Sequence, residues 1–258
     1  MTWQYALVER EGPLTIITIN RPEAHNALNA GAQFEMEAIF NEFAADDSQW
    51  VAIVTGAGSK AFCAGHDLKQ QAEGGGLTTP VSGFGGLASR FDLNKPVIAA
   101  VNGVAMGGGF EIVLACDIVV AAQNARFALP EVRVGLAALA GGLQRLPQQI
   151  GLRNAMGMLL TGRHVSAEEG VRLGFVNECT TGDVMELARK WAADIIASSP
   201  LSVRATKASV RHSLTLPVDV AMTGQWDLPA MQAMLNSEDA VEGPRAFVEK
   251  RTPVWKAR

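Results

Sequence analysis

The chain is short of cysteine, short of aromatics and carries no excess of basic charge. Three cysteines, Cys63, Cys116 and Cys179, are scattered over 258 residues. An odd, sparse set of this kind is no disulfide framework and suits a reducing cytosol. As small buried hydrophobes these residues need no further role. The net charge is -4, so no chain-wide basic field invites nucleic acid or anionic membrane. The opening MTWQYALVER lacks the basic stretch and apolar h-region of a signal peptide. Apolar runs such as Pro96 to Val101 and Ile118 to Ala122 are far too short to span a bilayer. The expectation is a cytoplasmic protein with no nucleic-acid partner and no membrane partner.

Several catalytic signatures are also missing. After Gly56-Ala57-Gly58 the third glycine of a dinucleotide fingerprint would fall on Ala61, and from Gly107 it would fall on Ile112. No Walker-type loop and no G-x-S-x-G elbow occur. The histidines at 25, 66, 164 and 212 form no H-E-x-x-H, and Cys63 with His66 has no further ligand nearby. The chemistry expected here therefore needs neither a metal nor a redox cofactor.

What is present is an ordinary globular composition, 48% hydrophobic. At this length one large domain, or a core with a small appendage, is expected. Such a chain buries roughly three quarters of the surface that its unfolded form exposes. Tyr5 to Glu9 and Leu14 to Ile19 flank Glu11-Gly12-Pro13 and predict a β-hairpin. Gly31 to Ala45 spaces Phe34, Ala38, Phe40 and Phe43 for a helix. Val51 to Thr55, Pro96 to Val101 and Ile118 to Ala122 are short β-rich runs ending in turns. Glu111 to Cys116 predicts an apolar helix opened by Gly107-Gly108-Gly109. Repeated ββα or βα units and an α/β core follow. From Asp183 the pattern is helical, over 183–198, 200–212, 217–236 and 239–250, punctuated by proline and glycine. Glu73 to Leu87 holds six glycines and predicts a mobile loop, either a surface insertion or a flap beside a substrate pocket.

Two stretches each join a strand end to a tight turn and a helix start: Ala61 to Lys69, and Asn102 to Glu111. Their glycines permit close backbone approach. Backbone N–H groups at a helix N-terminus are free to donate. Two such turns facing each other would make an oxyanion hole.

With these residues the chain resembles the crotonase (enoyl-CoA hydratase/isomerase) superfamily from end to end. The resemblance is carried in order by RPEAHNALN, AFCAGHDLK, PVIAAVNGVAMGGGFEIVLACDI, ARFALPEVRVG, GGLQRLPQQIG, LTGRHVSAEEGVRLGFVNE and EGPRAFVEKRTPVW. Within the superfamily, the tail and the GGGFEIVLA to FALPE segment look most like carnitinyl-CoA dehydratases. The resemblance implies an α/β fold: a ββα spiral core over 1–198 holding the active site, and an α-helical trimerisation region over 199–258. It implies an acyl-CoA thioester substrate, with coenzyme A part of the substrate and no separate cofactor. It also implies a homotrimer or hexamer.

The resemblance assigns the oxyanion-hole donors to the backbone N–H groups of His66 and Gly108. It also matches Glu111 and Glu131 to the two glutamates of hydratases. Two carboxylates in one pocket can divide the work of adding water, one activating water and one serving the α-carbon. Glu131 is expected to exchange the α-proton and Glu111 to hold the water. Glu131, after Pro130, also fits an exposed acid at a helix start. Glu111 precedes Ile112-Val113-Leu114, where an unpaired carboxylate is costly to bury. For CoA, the resemblance points to the turn Ala64, Gly65, Asp67, Leu68 and Lys69, with the Lys69 cation suited to phosphate. It further points to Phe247 and Lys250 of a neighbouring subunit.

One departure is that Ala138 stands where the family usually has proline, and Leu139 where it has glycine or an acid. With no acid at Leu139, roles that rely on a carboxylate there, such as dehalogenation or dienoyl isomerisation, are disfavoured, and the bulk of Leu139 is expected to narrow the pocket beside the water. The reading is a hydro-lyase of fatty acyl-CoA metabolism; a Δ3-Δ2 isomerase using Glu131 alone is the alternative within enzymes. A non-catalytic acyl-CoA- or RNA-binding relative is disfavoured by the intact acid pair.

Overall fold

The alternating segments at the start of the chain pair as expected. β1 (Ala6–Glu11) and β2 (Leu14–Ile19) form an antiparallel hairpin with Glu11 opposite Leu14 across the turn. In the computed structural model, residues 3–67 and 78–258 are described. β2 pairs in parallel with β3 (Val51–Gly56). β5 (Val97–Val101), β7 (Ile118–Ala122) and β10 (Glu178–Thr180) continue the sheet in the order β1-β2-β3-β5-β7-β10.

Three inner strands, β3, β5 and β7, each hand the chain to a second sheet. β3 is followed by β4 (Ala61–Cys63), β5 by β6 (Val104–Met106) and β7 by β8 (Arg126–Ala128); β9 (Val165–Ser166) closes that sheet antiparallel to β8. After β6 comes helix α2 (Gly108–Ala115), which completes a ββα unit. The two glycine turns thus leave adjacent, parallel strands, β4 and β6. That pairing is what brings them together.

Parallel strands covered on both faces read as continuous apolar runs. Ile17, Val54, Ala99 and Ala121 point into the main core, which includes α1 (Ala30–Ala45). Ile16, Ile53, Ile98 and Val120 point the other way, against Val184, Ala188 and Ala192 of a later helix, Val184–Ile196. Burial of one such Ile or Val side chain contributes about 1.5–3 kcal/mol. The first helix of the C-terminal run therefore belongs to the core. Along the chain α3 (Gly142–Ile150) and α4 (Leu152–Leu159) follow β8, and α5 (Ala167–Leu173) follows β9. In this numbering Val184–Ile196 is α6.

α7 (Pro200–Ser213) is pinned to the core by polar contacts: Lys207 reaches Asp117 at 2.6 Å and the Lys95 carbonyl at 2.8 Å. The helix expected over 217–236 is broken. It is α8 (Val218–Gly224), a 3-10 turn over Gln225–Asp227, and α9 (Pro229–Leu235). Pro229 has no N–H and holds Leu228 extended, at ψ 130°, so the helix must restart there. α10 (Glu238–Glu249) follows, and the tail folds back on it: Asp239 accepts from the Lys256 and Ala257 amides. Among the described residues no helix is long and apolar enough to cross a membrane.

The expectation of a mobile loop over Glu73 to Leu87 is corrected where the chain is described. Residues 73–77 lie outside the described residues. From Ser82 on the segment is packed: Ser82 is held by Glu37, and Phe84, Gly85, Gly86 and Leu87 are buried. A Cβ on Gly86 would lie 2.4 Å from the Glu37 nitrogen. Its glycine serves close packing against α1.

Candidate active site

The first turn, at the end of β4, is clamped by the segment before α1. The Ala64 amide donates to the His25 carbonyl, Leu28 donates to the Gly65 carbonyl, and Asp67 donates to the Leu28 carbonyl. Gly65 donates to the Cys63 sulfur. The remaining amide of the turn, that of His66, has no acceptor among the described residues. Its bridge to Leu28 runs through the neighbours' backbone groups, which leaves its own N–H pointing away.

The clamp is itself buttressed. Asn26 is fully buried; it accepts from the Arg21 amide and donates to the carbonyls of Ala57 and Ala61. The Arg21 guanidinium bonds the Ala27 carbonyl and, through both terminal nitrogens at 3.1 Å, Asp67. Asp67 is thereby a structural partner of Arg21. Sequence reading placed it only among CoA contacts and missed Arg21 and Asn26.

The second turn opens α2. Gly107 adopts φ +54° and ψ −128°, a conformation glycine tolerates. Its carbonyl accepts from the Glu111 amide, closing the first helical turn. The Gly108 N–H, at the first position of the helix, has no acceptor among the described residues. The two turns abut: a Cβ on Gly65 would lie 3.2 Å from the Gly108 nitrogen and 2.7 Å from the Met106 carbonyl oxygen. On its other side Gly108 faces Phe84, whose ring would come within 2.5 Å of a Cβ there. Two unpaired amides thus sit on abutting turns, as an anionic oxygen requires.

The carboxylates come from two further elements. Glu111, only 3% exposed, lies one turn into α2. Its Oε1 accepts from the Gly142 amide at 2.9 Å, at the N-terminus of α3. Burial, reinforced by the charge of Glu131, pushes the Glu111 carboxyl up to about 7 against the pull of the Gly142 amide. Glu131 opens a 3-10 turn after Pro130, and its Oε1 would lie 3.1 Å from a Cβ on Gly107. Its Oε2 is buried with no hydrogen-bond partner among the described residues, and burial raises its pKa. A carboxylic acid held above its usual range, with one oxygen unpaired, is poised to hold and release a proton. Glu131 therefore sits against the Gly107 turn, and the Glu111 carboxyl is near enough to feel its charge.

Other expected residues fall differently. Ala64 and Gly65 lie in the clamped turn, Gly65 being buried. Leu68 and Lys69 lie outside the described residues. Phe247 is 84% exposed and Lys250 caps α10 at φ +54°, on the far C-terminal helix. The narrowing expected from Leu139 is corrected: its side chain is 76% exposed. Ala138 and Leu129 instead hem in Gly142 beside Glu111, each 2.9 Å from where a Cβ would be. The role of Gly142 was not read from sequence, although the Gly141-Gly142 pair before α3 marked a tight backbone approach. Among the described residues no three His, Cys, Asp or Glu side chains gather as metal ligands do.

Comparison with known proteins shows the family. The sequence profile of the enoyl-CoA hydratase/isomerase family matches residues 9–258. The chain is 46% identical over 254 residues to a protein named carnitinyl-CoA dehydratase from Citrobacter koseri, covering 96% of this chain and 97% of that one. Among solved structures it is similar to an enoyl-CoA hydratase from Mycobacterium tuberculosis, with TM-score 0.92 and 39% identity over 98% of this chain and 99% of that one. A carnitinyl-CoA hydratase from Mycobacterium avium matches with TM-score 0.78 and 43% identity, over the whole of both chains.

Proposed function

The chain belongs to the enoyl-CoA hydratase/isomerase family, and from that premise we propose that it is a hydro-lyase adding or removing water across the 2,3 double bond of an acyl-CoA thioester in the cytoplasm. The observation that carries this is the pair of carboxylates, Glu111 and Glu131, beside two abutting turns in which the His66 and Gly108 amides have no acceptor among the described residues. In hydration, carboxylate Glu111 accepts a proton from water as the water oxygen bonds to C3. The double-bond pair moves toward the thioester, whose oxygen gains charge and is held by the N–H groups of His66 and Gly108. Loss of one such donor typically costs about 2.7–4 kcal/mol of barrier. Glu131, protonated at the start, gives its proton to C2. Burial raises both carboxyls, so the two titrate as a coupled pair able to share one proton. Dehydration is the same path reversed, and no metal or separate cofactor enters it.

Identity at 46% to proteins named carnitinyl-CoA dehydratase supports one narrower reading, an acyl group bearing a trimethylammonium. Isomerisation by Glu131 alone is disfavoured, because Glu111 is retained and already held by an amide. The exposed apolar side chains of the C-terminal helices, Leu214, Trp226, Val241 and Phe247 among them, support assembly as a homotrimer or hexamer. In that assembly Phe247 and Lys250 would reach a neighbour's CoA, and Lys69 and the Ala64–Asp67 turn would meet the CoA of their own site. Water addition measured across short, long, branched and trimethylammonium-bearing enoyl-CoAs tests the function. Turnover on at least one class is expected; double-bond migration without hydration, or no turnover on any, would overturn it. Light scattering at micromolar concentration is expected to give a trimer or hexamer mass, and a fully active monomer would refute the assembly.

A further inference from the structure

We infer that Arg145 is a positioning residue for Glu111, clasping the Gly141–Gly142 turn so that the Gly142 amide stays on the carboxylate and a positive charge stays beside it. The inference rests on the reading of Glu111 as the group that accepts the proton of water. Three contacts fix the Arg145 side chain. Its Nη2 donates to the Ala88 carbonyl at 2.7 Å. Its guanidinium lies over the Phe91 ring, 5.5 Å from the centroid. Its Nη1 lies so close over Gly141 that a Cβ there would come within 2.1 Å.

Gly141 stands at φ +107° immediately before Gly142, the donor to Glu111. Only a residue without a side chain lets the guanidinium rest on this turn. Arg145 therefore ties two segments together. One is the stretch from Phe84 to Ala88, which packs against Gly108 and whose Ala88 amide bonds the Phe84 carbonyl. The other is the turn that holds Glu111. The oxyanion side and the water side of the site are joined through one side chain.

The charge acts in the same direction as the geometry. The groups bearing on Glu111 are Glu131, which disfavours its ionisation, and Arg145, which favours it, together with backbone amides of Ala140 and Gly142. Arg145 in turn feels Arg211, which repels it, and Cys116 and Glu111, which favour its charge. A lysine would keep the charge but lose the planar fork that spans the turn and the Ala88 carbonyl.

Arg145→Met keeps the stem and removes the charge. In the pH profile of kcat/KM for enoyl-CoA hydration, its acid limb is expected above that of the wild type, by less than about one pH unit. At pH 7 that lowers kcat/KM by less than about fivefold, recovered at higher pH. Arg145→Lys is expected to shift the limb less. Gly141→Ala, which pushes the guanidinium off the turn, is expected to shift it in the same direction as Arg145→Met. The Glu111 carboxyl stretch, taken by infrared difference against Glu111→Gln, reads the same shift without turnover. An unmoved limb and an unmoved carboxyl titration in folded Arg145→Met, with only a pH-independent loss, would overturn the inference and leave the proposed function standing. A wild type that hydrates no enoyl-CoA would instead refute that function, and the infrared titration would still decide the role of Arg145.

Discussion

Glu111 and Glu131 reach the site on segments of opposite kind. Every residue of α2, which carries Glu111, is buried, whereas no residue of the 3-10 turn carrying Glu131 is. Glu111 is tied to the Gly142 amide at 2.9 Å, while Glu131 keeps one buried oxygen without a partner among the described residues. A carboxylate held by a backbone amide suits a group that must keep a small molecule in place. An acid with a free oxygen on a short turn suits one that must reach a carbon and return. The contrast supports the proposed division of labour.

The first way to break the comparison is to neutralise each acid in turn. Glu131→Gln and Glu111→Gln keep shape and remove the titrating proton, and each is expected to lower kcat by about 10²–10⁴. Near-normal hydration by either folded variant would sink its assignment. Gly108→Val acts on both acids alike. A side chain there meets the Phe84 ring at 2.5 Å and must displace the turn, so kcat is expected to fall by about 10²–10³. A thioester oxygen bound by other groups in a crystal complex would refute that reading.

The pH dependence sharpens the contrast. Glu111 must be ionised to accept the proton of water, and burial holds it at about 7. The acid limb of kcat/KM is therefore expected near that value, well above the ordinary carboxylate range. A limb near 4 would contradict it. Stability gives the smallest effect. A buried carboxyl whose pKa is raised on folding is favoured at low pH, and that advantage disappears as pH rises from about 4.5 toward 7. Glu111→Gln should then gain stability over the wild type across that window, on the order of 3 kcal/mol at most. Glu131→Gln should gain less, since Glu131 is only half-buried. Melting curves at several pH values would show it, and equal gains would blur the distinction.

Much of this was legible from the residues. The hairpin, the three inner strands and α2 follow period-two and apolar patterns that tertiary packing did not override. Glu111 stood out as an acid inside an apolar helix. The glycines near Phe84 misled because composition cannot separate glycine for freedom from glycine for contact; Gly86 packs on the backbone of α1. The break at Pro229 carried its own signal but was read through. Arg21, Asn26, Gly142 and Arg145 act through contacts with residues distant in sequence or through backbone groups, which no local pattern displays.

The division of labour is tested most directly by proton exchange at the α-carbon of a saturated acyl-CoA in deuterated water, where no water is added. The account predicts that Glu111→Gln exchanges the α-proton at close to the wild-type rate, while Glu131→Gln loses exchange by about 10²-fold or more. Exchange that survives in Glu131→Gln and vanishes in Glu111→Gln would contradict it.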